Sequence, residues 1–309
     1  MRRSTKRIAH VGVLGLLVLS SPVGAWADIL NFTNRNGGGS IQQVDTATSI
    51  ITTITNTPGL PDSLLFAPNG NLLYTINSTS PTAIGIFDGT TNTTVNVGND
   101  ARDMTLAPDG KSVYVGDFSG GKIFQVDLTT HAVTQFASGL GPVDGIAFGS
   151  DGNLYAVANN RTQIDELDST GAVIHSLAGF GQLDGMTFDS STNSIWVGAN
   201  NATLYQFALG LGSSTAFTTA NLGIIDGIAS DGNGNLFVAN FGSNIAKYNI
   251  GSNTAAIVAT TPGIDDLAPV AGLGAPNVPE PGSIILLGTV LVFAAGGFRR
   301  RFAKSSNAL

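Results

Sequence analysis

Six aspartates recur at nearly constant intervals: Asp62, Asp103, Asp144, Asp184, Asp226 and Asp265, spaced 41, 41, 40, 42 and 39 residues apart, with Asp266 doubling the last. Each is followed by a short apolar run: SLLFA, MTLA, GIAF, GMTF, GIA and DLAPV. A ring of carboxylates brought together by a repeat would suit a hard divalent cation such as Ca²⁺, which takes oxygen ligands. It would equally serve as scaffold, each Asp accepting backbone N–H bonds at the tight entry to its strand. Six near-equivalent residues read first as scaffold, and the doubled Asp265-Asp266 is the position most suited to something more.

Other chemistry is poorly supplied. No cysteine is present, which removes thiol nucleophiles and Cys-based zinc sites. His10 falls in a leader, His131 in a turn between outer strands and His175 in a fourth strand, so no histidine is expected at a central site. Glu166 is the sole glutamate between residues 28 and 277 and is expected in a third strand. No Ser-His-Asp set, P-loop or zinc motif occurs.

The elements that must position the aspartates repeat with them. After each apolar run comes a turn, such as Pro68-Asn69-Gly70, Pro108-Asp109-Gly110 or Ser150-Asp151-Gly152. The order Pro, Asn/Asp, Gly suits a tight turn ending in a positive-φ residue. Aromatic-led second strands follow at Tyr74, Tyr114, Tyr155, Trp196 and Phe237. Third strands end near Asp88, Asp127, Asp168, Phe207 and Tyr248, and Thr-rich fourth strands complete the units. Four short strands every forty residues predict an all-β fold, a six-bladed β-propeller with four antiparallel strands per blade.

The sixth unit stops after its first strand. Residues 29–33, 40–45 and 49–55 supply its second, third and fourth, so the ring is expected to be closed by strands from both termini. In this arrangement the polar residues ending the second strands, Asn34, Asn77, Asp117, Asn159, Asn200 and Asn240, gather with the six aspartates at one mouth of the central channel. The repeat resembles the six-bladed propellers of the NHL, YVTN and gluconolactonase/regucalcin group across nearly all of residues 28–270. That resemblance implies the fold; the group spans lactonases, lyases and binding modules. Its lactonases use a Glu with Asn and Asp ligands in the channel, a pattern from which Glu166 departs.

Both ends read as targeting segments. Residues 1–27 carry Arg2, Arg3, Lys6 and Arg7, an apolar run over 11–19, and Ala25-Trp26-Ala27, the three parts of a signal peptide cleaved after Ala27. Residues 271–278 read as a linker. Residues 279–309 open on Pro279-Glu280-Pro281, continue with an apolar run over 284–298 and end with Arg299-Arg300-Arg301 and Lys304. Fifteen residues rise about 22 Å as a helix, enough for transient membrane insertion with snorkelling arginines. This tail resembles the PEP-CTERM sorting signal of Gram-negative bacteria. The resemblance implies an exosortase as processing partner, anchoring before cleavage, and release to the cell surface or an exopolysaccharide matrix.

Charge sets the remaining limits. Between residues 28 and 277 six bases face twenty acids, near −14 against −7 for the whole chain. Such a surface repels nucleic acid and anionic lipid. The sequence thus points to an exported, non-enzymatic propeller that binds a partner, glycan or small ligand at an acidic mouth, with a metal-dependent lactonase or hydrolase as the enzymatic alternative. Mass spectrometry of the exported protein should find an N-terminus at Asp28 and a C-terminus shortened at the Pro-Glu-Pro triplet. An intact end at Leu309 would refute processing.

Overall fold

The computed structural model describes residues 29–78 and 81–270. The expected signal peptide over 1–27, the expected 271–278 linker and the expected 279–309 sorting tail, with Ala27, Pro279, Glu280 and Pro281, lie outside the described residues. Among the described residues no helix is long and apolar enough to cross a membrane.

Six four-stranded antiparallel sheets surround one axis. The first blade holds β1 (Ile29–Asn34), β2 (Ser40–Asp45) and β3 (Ile50–Asn56). The second runs from β4 (Pro61–Phe66) through β5 (Leu72–Ile76) and β6 (Ala83–Phe87) to β7 (Asn92–Asn96). The third comprises β8 (Ala101–Leu106), β9 (Ser112–Asp117), β10 (Lys122–Asp127) and β11 (Val133–Ser138). The fourth comprises β12 (Ile146–Phe148), β13 (Leu154–Ala158), β14 (Gln163–Leu167) and β15 (Val173–Ala178). The fifth comprises β16 (Leu183–Asp189), β17 (Ser194–Ala199), β18 (Thr203–Ala208) and β19 (Ser214–Phe217). The sixth comprises β20 (Ile225–Ser230), β21 (Asn235–Asn240), β22 (Asn244–Asn249) and β23 (Thr254–Thr260). The last strand, β24 (Ile264–Leu267), pairs with β1 as the innermost strand of the first blade, so the two ends close the ring as expected.

Local chemistry explains the strand boundaries. In the inner hairpins Gly70, Gly110 and Gly152 take φ of 87°, 69° and 83°, a region that L side chains avoid. In the outer hairpins Asp45, Asp88, Asp127 and Asp168 each accept backbone N–H groups two and three or four residues ahead, which ends the third strand and starts the turn. These N–H bonds hold the Asp88 carboxyl well below the usual carboxylate range.

The core lies between blades. Tyr74, Tyr155, Trp196 and Phe237, all from second strands, are fully buried. Each contributes on the order of 2–3 kcal/mol of burial free energy. Tyr114, the remaining member of the series, is half-buried and packs edge-on against Phe136 and Phe148.

Strand direction fixes where the ends emerge. β24 starts beside the channel mouth and runs to the opposite face. β1 is antiparallel to it, with Asn34 opposite Ile264, and so begins at Ile29 on that same opposite face. The chain therefore enters and leaves the propeller on the face away from the mouth.

Six inner strands converging on one axis leave little room. A Cβ on Gly185 would collide with the Asp226 carbonyl oxygen of the next blade, and one on Gly145 with the Asp184 carbonyl. Gly185→Ala should therefore destabilise the fold by about 1–3 kcal/mol, the usual cost of overpacking. Gly181→Ala, where the added methyl meets open space, is the control and should leave the melting temperature nearly unchanged. Equal melting temperatures for the two variants would contradict this account.

Candidate functional site

Each inner strand carries the same irregularity. Two consecutive residues lie opposite one residue of the second strand: Asp62-Ser63 opposite Thr75, Arg102-Asp103 opposite Gly116, Asp184-Gly185 opposite Gly198, Asp226-Gly227 opposite Ala239, and Asp265-Asp266 opposite Thr33. In the fourth blade Asp144 N–H donates to Val157 O at 2.9 Å while Val157 N–H donates to Gly145 O at 2.8 Å, which is the same bulge. A bulge of this kind bends a strand and re-aims its side chains. Here it supplies the channel with two layers of residues.

The register corrects the six-aspartate ring. The first bulge position is held by Asp62, Arg102, Asp144, Asp184, Asp226 and Asp265. Asp103 occupies the second position, one layer deeper, together with Ser63, Asp266 and three glycines. The near-constant 41-residue spacing concealed this one-residue offset. Physically, Arg102 replaces a carboxylate in a ring that would otherwise bring six acids together.

The mouth is charge-paired rather than simply acidic. Arg35 Nη1 lies 3.0 Å from Asp265 Oδ2 and 3.5 Å from Asp62 Oδ2. Arg102 lies 3.5 Å from Asp62 and 2.9 Å from Asp100. Arg161 Nε pairs with Asp144, and its Nη1 stands 3.0 Å from Asp184 Oδ2, within ion-pair range but angled away from a hydrogen bond. Phe118 lies beneath two of these guanidinium groups, 5.0 Å from that of Arg102 and 5.6 Å from that of Arg161. Composition alone counted these arginines without placing them. All three arginines between residues 28 and 277 converge here, two on second-to-third-strand loops and one on an inner strand. The position of Arg102, 40 residues after Asp62 and 42 before Asp144, was the available signal.

Asp226 is placed differently. Burial, with repulsion from the neighbouring Asp184 carboxyl, pushes its pKa upward, and no arginine pairs with it among the described residues. Oxygens of Asp62, Asp226 and Asp265 lie within 4.8 Å of one another. A cavity of about 320 Å³ opens above them, lined by the three arginines, Asp62, Asp184, Asn200, Asp226, Asp265, Ile224 and Phe241. Asn200 Oδ1 is buried on this wall without a hydrogen-bond partner among the described residues. Below, the channel narrows to a gap of only about 10 Å³ between the bulges.

The deeper layer is scaffold. Asp103 accepts Ser63 Oγ–H at 2.6 Å from one neighbouring blade and Ile146 N–H at 2.8 Å from the other, and so clasps three blades. Asp266 accepts its own strand's Leu267 N–H at 2.7 Å. Thr33 and Thr75 do related work: each hydroxyl accepts a bulge N–H and donates to a carbonyl of the next blade.

The second-strand polar residues divide. Asn77 bonds Asp62 and accepts from Arg35, and Asn200 lines the cavity. Asn34, Asp117 and Asn240 instead accept backbone N–H groups of nearby loops. Asn159, at φ 48°, shapes the loop that carries Arg161. His175 lies on β15 with its Nδ1 2.9 Å from Glu166, and Glu166 is buried in β14, far from the channel axis.

Burial raises the clustered carboxyls. Asp62 and Asp103 are pushed up to about 7 and Asp265 to about 8, desolvation being the main cause and neighbouring carboxyls adding to it. Asp144, Asp184, Asp226 and Asp266 also move upward, again chiefly by desolvation. Arg102 and Arg35 pull Asp62 back down, as Arg161 does Asp144.

Residues 277–301 match the PEP-CTERM protein-sorting motif. That motif implies exosortase-processed export, with a C-terminal sorting signal that holds the chain at the membrane before it reaches the surface. No curated protein matches the sequence. Among solved structures, a chain of a nidogen/laminin complex is similar at 14% identity and TM-score 0.65, covering 78% of this chain and 97% of that one. A protein of unknown function from Bacteroides caccae is similar at 14% identity and TM-score 0.64, covering 80% and 100%. A catalytically inactive variant of virginiamycin B lyase from Staphylococcus aureus, solved with quinupristin, is similar at 14% identity and TM-score 0.58, covering 75% and 84%. At these identities the likeness concerns the fold alone.

The raised carboxyls set a pH dependence. They ionise near pH 4 in the unfolded chain, but Asp62, Asp103 and Asp265 do so only near 7–8 in the native one. Between these values the native state holds more protons, so their contribution is fully present below pH 4 and is lost as pH rises through 7–8. The melting temperature should fall from pH 5 to pH 8.5. Arg161→Met, which leaves Asp144 and Asp184 without their cation, should cost about 3 kcal/mol at pH 8 and much less at pH 5. A melting temperature that is flat or rises over this range would contradict the assignment.

Proposed function

We propose that this chain is an exported, non-enzymatic propeller, released by exosortase processing to the cell surface or exopolysaccharide matrix, that binds a sugar or glycan segment at its channel mouth. The observation that carries this reading is the 320 Å³ cavity in which three guanidinium groups, several carboxyls and the unpartnered Asn200 Oδ1 converge beside half-exposed Phe241. Fixed bidentate donors alternating with acceptors match vicinal hydroxyls. Phe241 and Ile224 offer an apolar surface to the C–H face of a ring. The narrow waist below stops a ligand from threading through and makes the mouth an end-on receptor.

A metal-dependent hydrolase is the second reading, favoured by the close oxygens of Asp62, Asp226 and Asp265. Ca²⁺ needs six to eight oxygen ligands. Arg35 competes directly for two of the three carboxylates. The glutamate and histidine that a hydrolase would draw on, Glu166 and His175, sit on outer strands of one blade.

Calorimetric titration against neutral sugars, uronic acids and their oligomers tests the proposal. A member of the panel should bind, and Phe241→Ala and Asn200→Ala should each weaken it about tenfold, a loss of about 1.4 kcal/mol. No binding across the panel would refute the glycan reading. A melting temperature raised by Ca²⁺ and lowered by EDTA, together with turnover on a lactone panel, would favour the hydrolase instead.

A further inference from the structure

The third and sixth blades stand opposite each other in the ring, and their mouth loops are built alike. Phe118 follows β9 and donates its N–H to Asp100 O at 2.9 Å; Phe241 follows β21 and donates its N–H to Ile224 O at 2.7 Å. Asp100 and Ile224 each immediately precede the inner strand of their blade. The first bulge position comes next, held by Arg102 in the third blade and by Asp226 in the sixth. Matching backbone positions thus carry opposite charge.

The two sides differ in what is satisfied. Phe118 already has guanidinium groups over its ring, those of Arg102 and Arg161. Phe241 is 52% exposed, and among the described residues no cation lies over it. Asp226 lines the same cavity without a paired arginine. Two more acceptors on this wall, Asn200 Oδ1 and Asp184 Oδ2, are buried without a hydrogen-bond donor among the described residues. Asp184 is only 4% exposed, and Arg161 Nη1, 3.0 Å away, is angled out of hydrogen-bond geometry. Buried acceptors without donors are costly, and a ligand that brings donors relieves that cost. The third blade shows within the same molecule what satisfies such an arrangement: a cation stacked on the ring and bonded to carboxylates.

We propose that Asp184, Asn200, Asp226 and Phe241 receive an ammonium group, so that the glycan bound at the mouth is an amino sugar carrying a free amine. This rests on the glycan reading above and narrows it. An ammonium supplies three N–H donors to the three acceptors, and its charge is drawn to the face of Phe241. Six acids at the mouth, the five ring aspartates and Asp100, face three arginines, so the site has room for a further cation. A bare divalent ion is a poorer match, because Phe241 and Ile224 give it no oxygen. A polyamine meets the acceptors but brings no hydroxyl to the guanidinium groups across the cavity. A ligand carboxylate finds no unclaimed cation there, since Arg35, Arg102 and Arg161 each already face ring carboxylates. An amino sugar serves both arcs, hydroxyls toward the arginines and ammonium toward Asp226. The cavity of about 320 Å³ lies at the small end of ligand sites, roughly 300–1,000 Å³, and suits a single ring.

Calorimetric titration of the exported protein tests this, at about pH 6.5, where such an amine is protonated, and with EDTA present to remove divalent ions. The probes are glucosamine, N-acetylglucosamine and glucose, each as monosaccharide and as β-1,4 disaccharide, together with spermidine. The free-amine sugar should bind about tenfold tighter than the acetylated sugar, the neutral sugar and the polyamine. Asp226→Asn, which keeps the shape of the side chain, should bring glucosamine down to the affinity of glucose while glucose changes less than about twofold. Phe241→Leu should weaken glucosamine more than glucose, and Phe241→Trp should keep the preference. Neutral or acetylated sugar binding as tightly as the free amine overturns the amine assignment and leaves the glycan reading standing. No binding by any sugar refutes both. Spermidine matching glucosamine, or a preference that survives Asp226→Asn, also overturns the proposal.

Discussion

Desolvation of charge at the propeller axis is the constraint on which the rest of this structure depends. Six strands starting at one point bring six polar side chains together where water is scarce. A carboxylate in that position pays for its ionisation unless a cation stands beside it. The chain uses two remedies. On one arc, Arg35, Arg102 and Arg161 each sit against the ring carboxylates. On the other, Asp226 has no arginine beside it among the described residues, and burial with repulsion from Asp184 favours its neutral form. The ring is therefore asymmetric despite the symmetric repeat, and asymmetry is what a binding site requires.

Bulges and glycines follow from the same crowding. A regular strand would aim successive side chains to opposite faces of its sheet. The bulge inserts an extra residue, so that each blade contributes at two depths. Where the second residue is Gly145 or Gly185, the next blade's backbone fills the space of a side chain, and at Gly227 the Asp266 carboxyl and Cα fill it. Where it is Ser63 or Asp103, the side chains bond each other across blades. Close packing and hydrogen bonding are alternative ways of locking one blade to the next.

The fold was legible because its signals are local and repeated. Turn triplets, aromatic-led strands and Asp-terminated third strands each reflect a backbone requirement met within a few residues. The ring closure was legible too, since the sixth unit visibly lacked three strands that the N-terminal residues supply. The site was less legible because its cations come from unrelated places: Arg35 and Arg161 on loops, Arg102 one residue before an aspartate that mimicked the repeat. Alignment by residue type put Asp103 in the ring, whereas the ladder pairs Met104 with Val115 and so aligns Arg102 with Asp62 and Asp144. Register is a property of hydrogen bonding, and a one-residue offset between units is too small to stand out among spacings that already vary from 39 to 42 residues.

The two populations of aspartate have opposite electrostatic characters. Asp88, Asp127 and Asp168, in the outer hairpins, accept several N–H groups in full solvent, which favours the charged form. Those at the axis lose water, which favours the neutral form. Neutral pH therefore leaves Asp88, Asp127 and Asp168 of the loop face charged while the axial cluster is only partly ionised. The chain's two ends join the propeller on that loop face, opposite the mouth. A tether attached there and a ligand seated at the mouth would occupy opposite sides of the disc. The strand directions that gather the carboxyls at one end are the same ones that deliver the termini to the other, so the placement of the termini opposite the mouth is a direct consequence of closing the ring with β24.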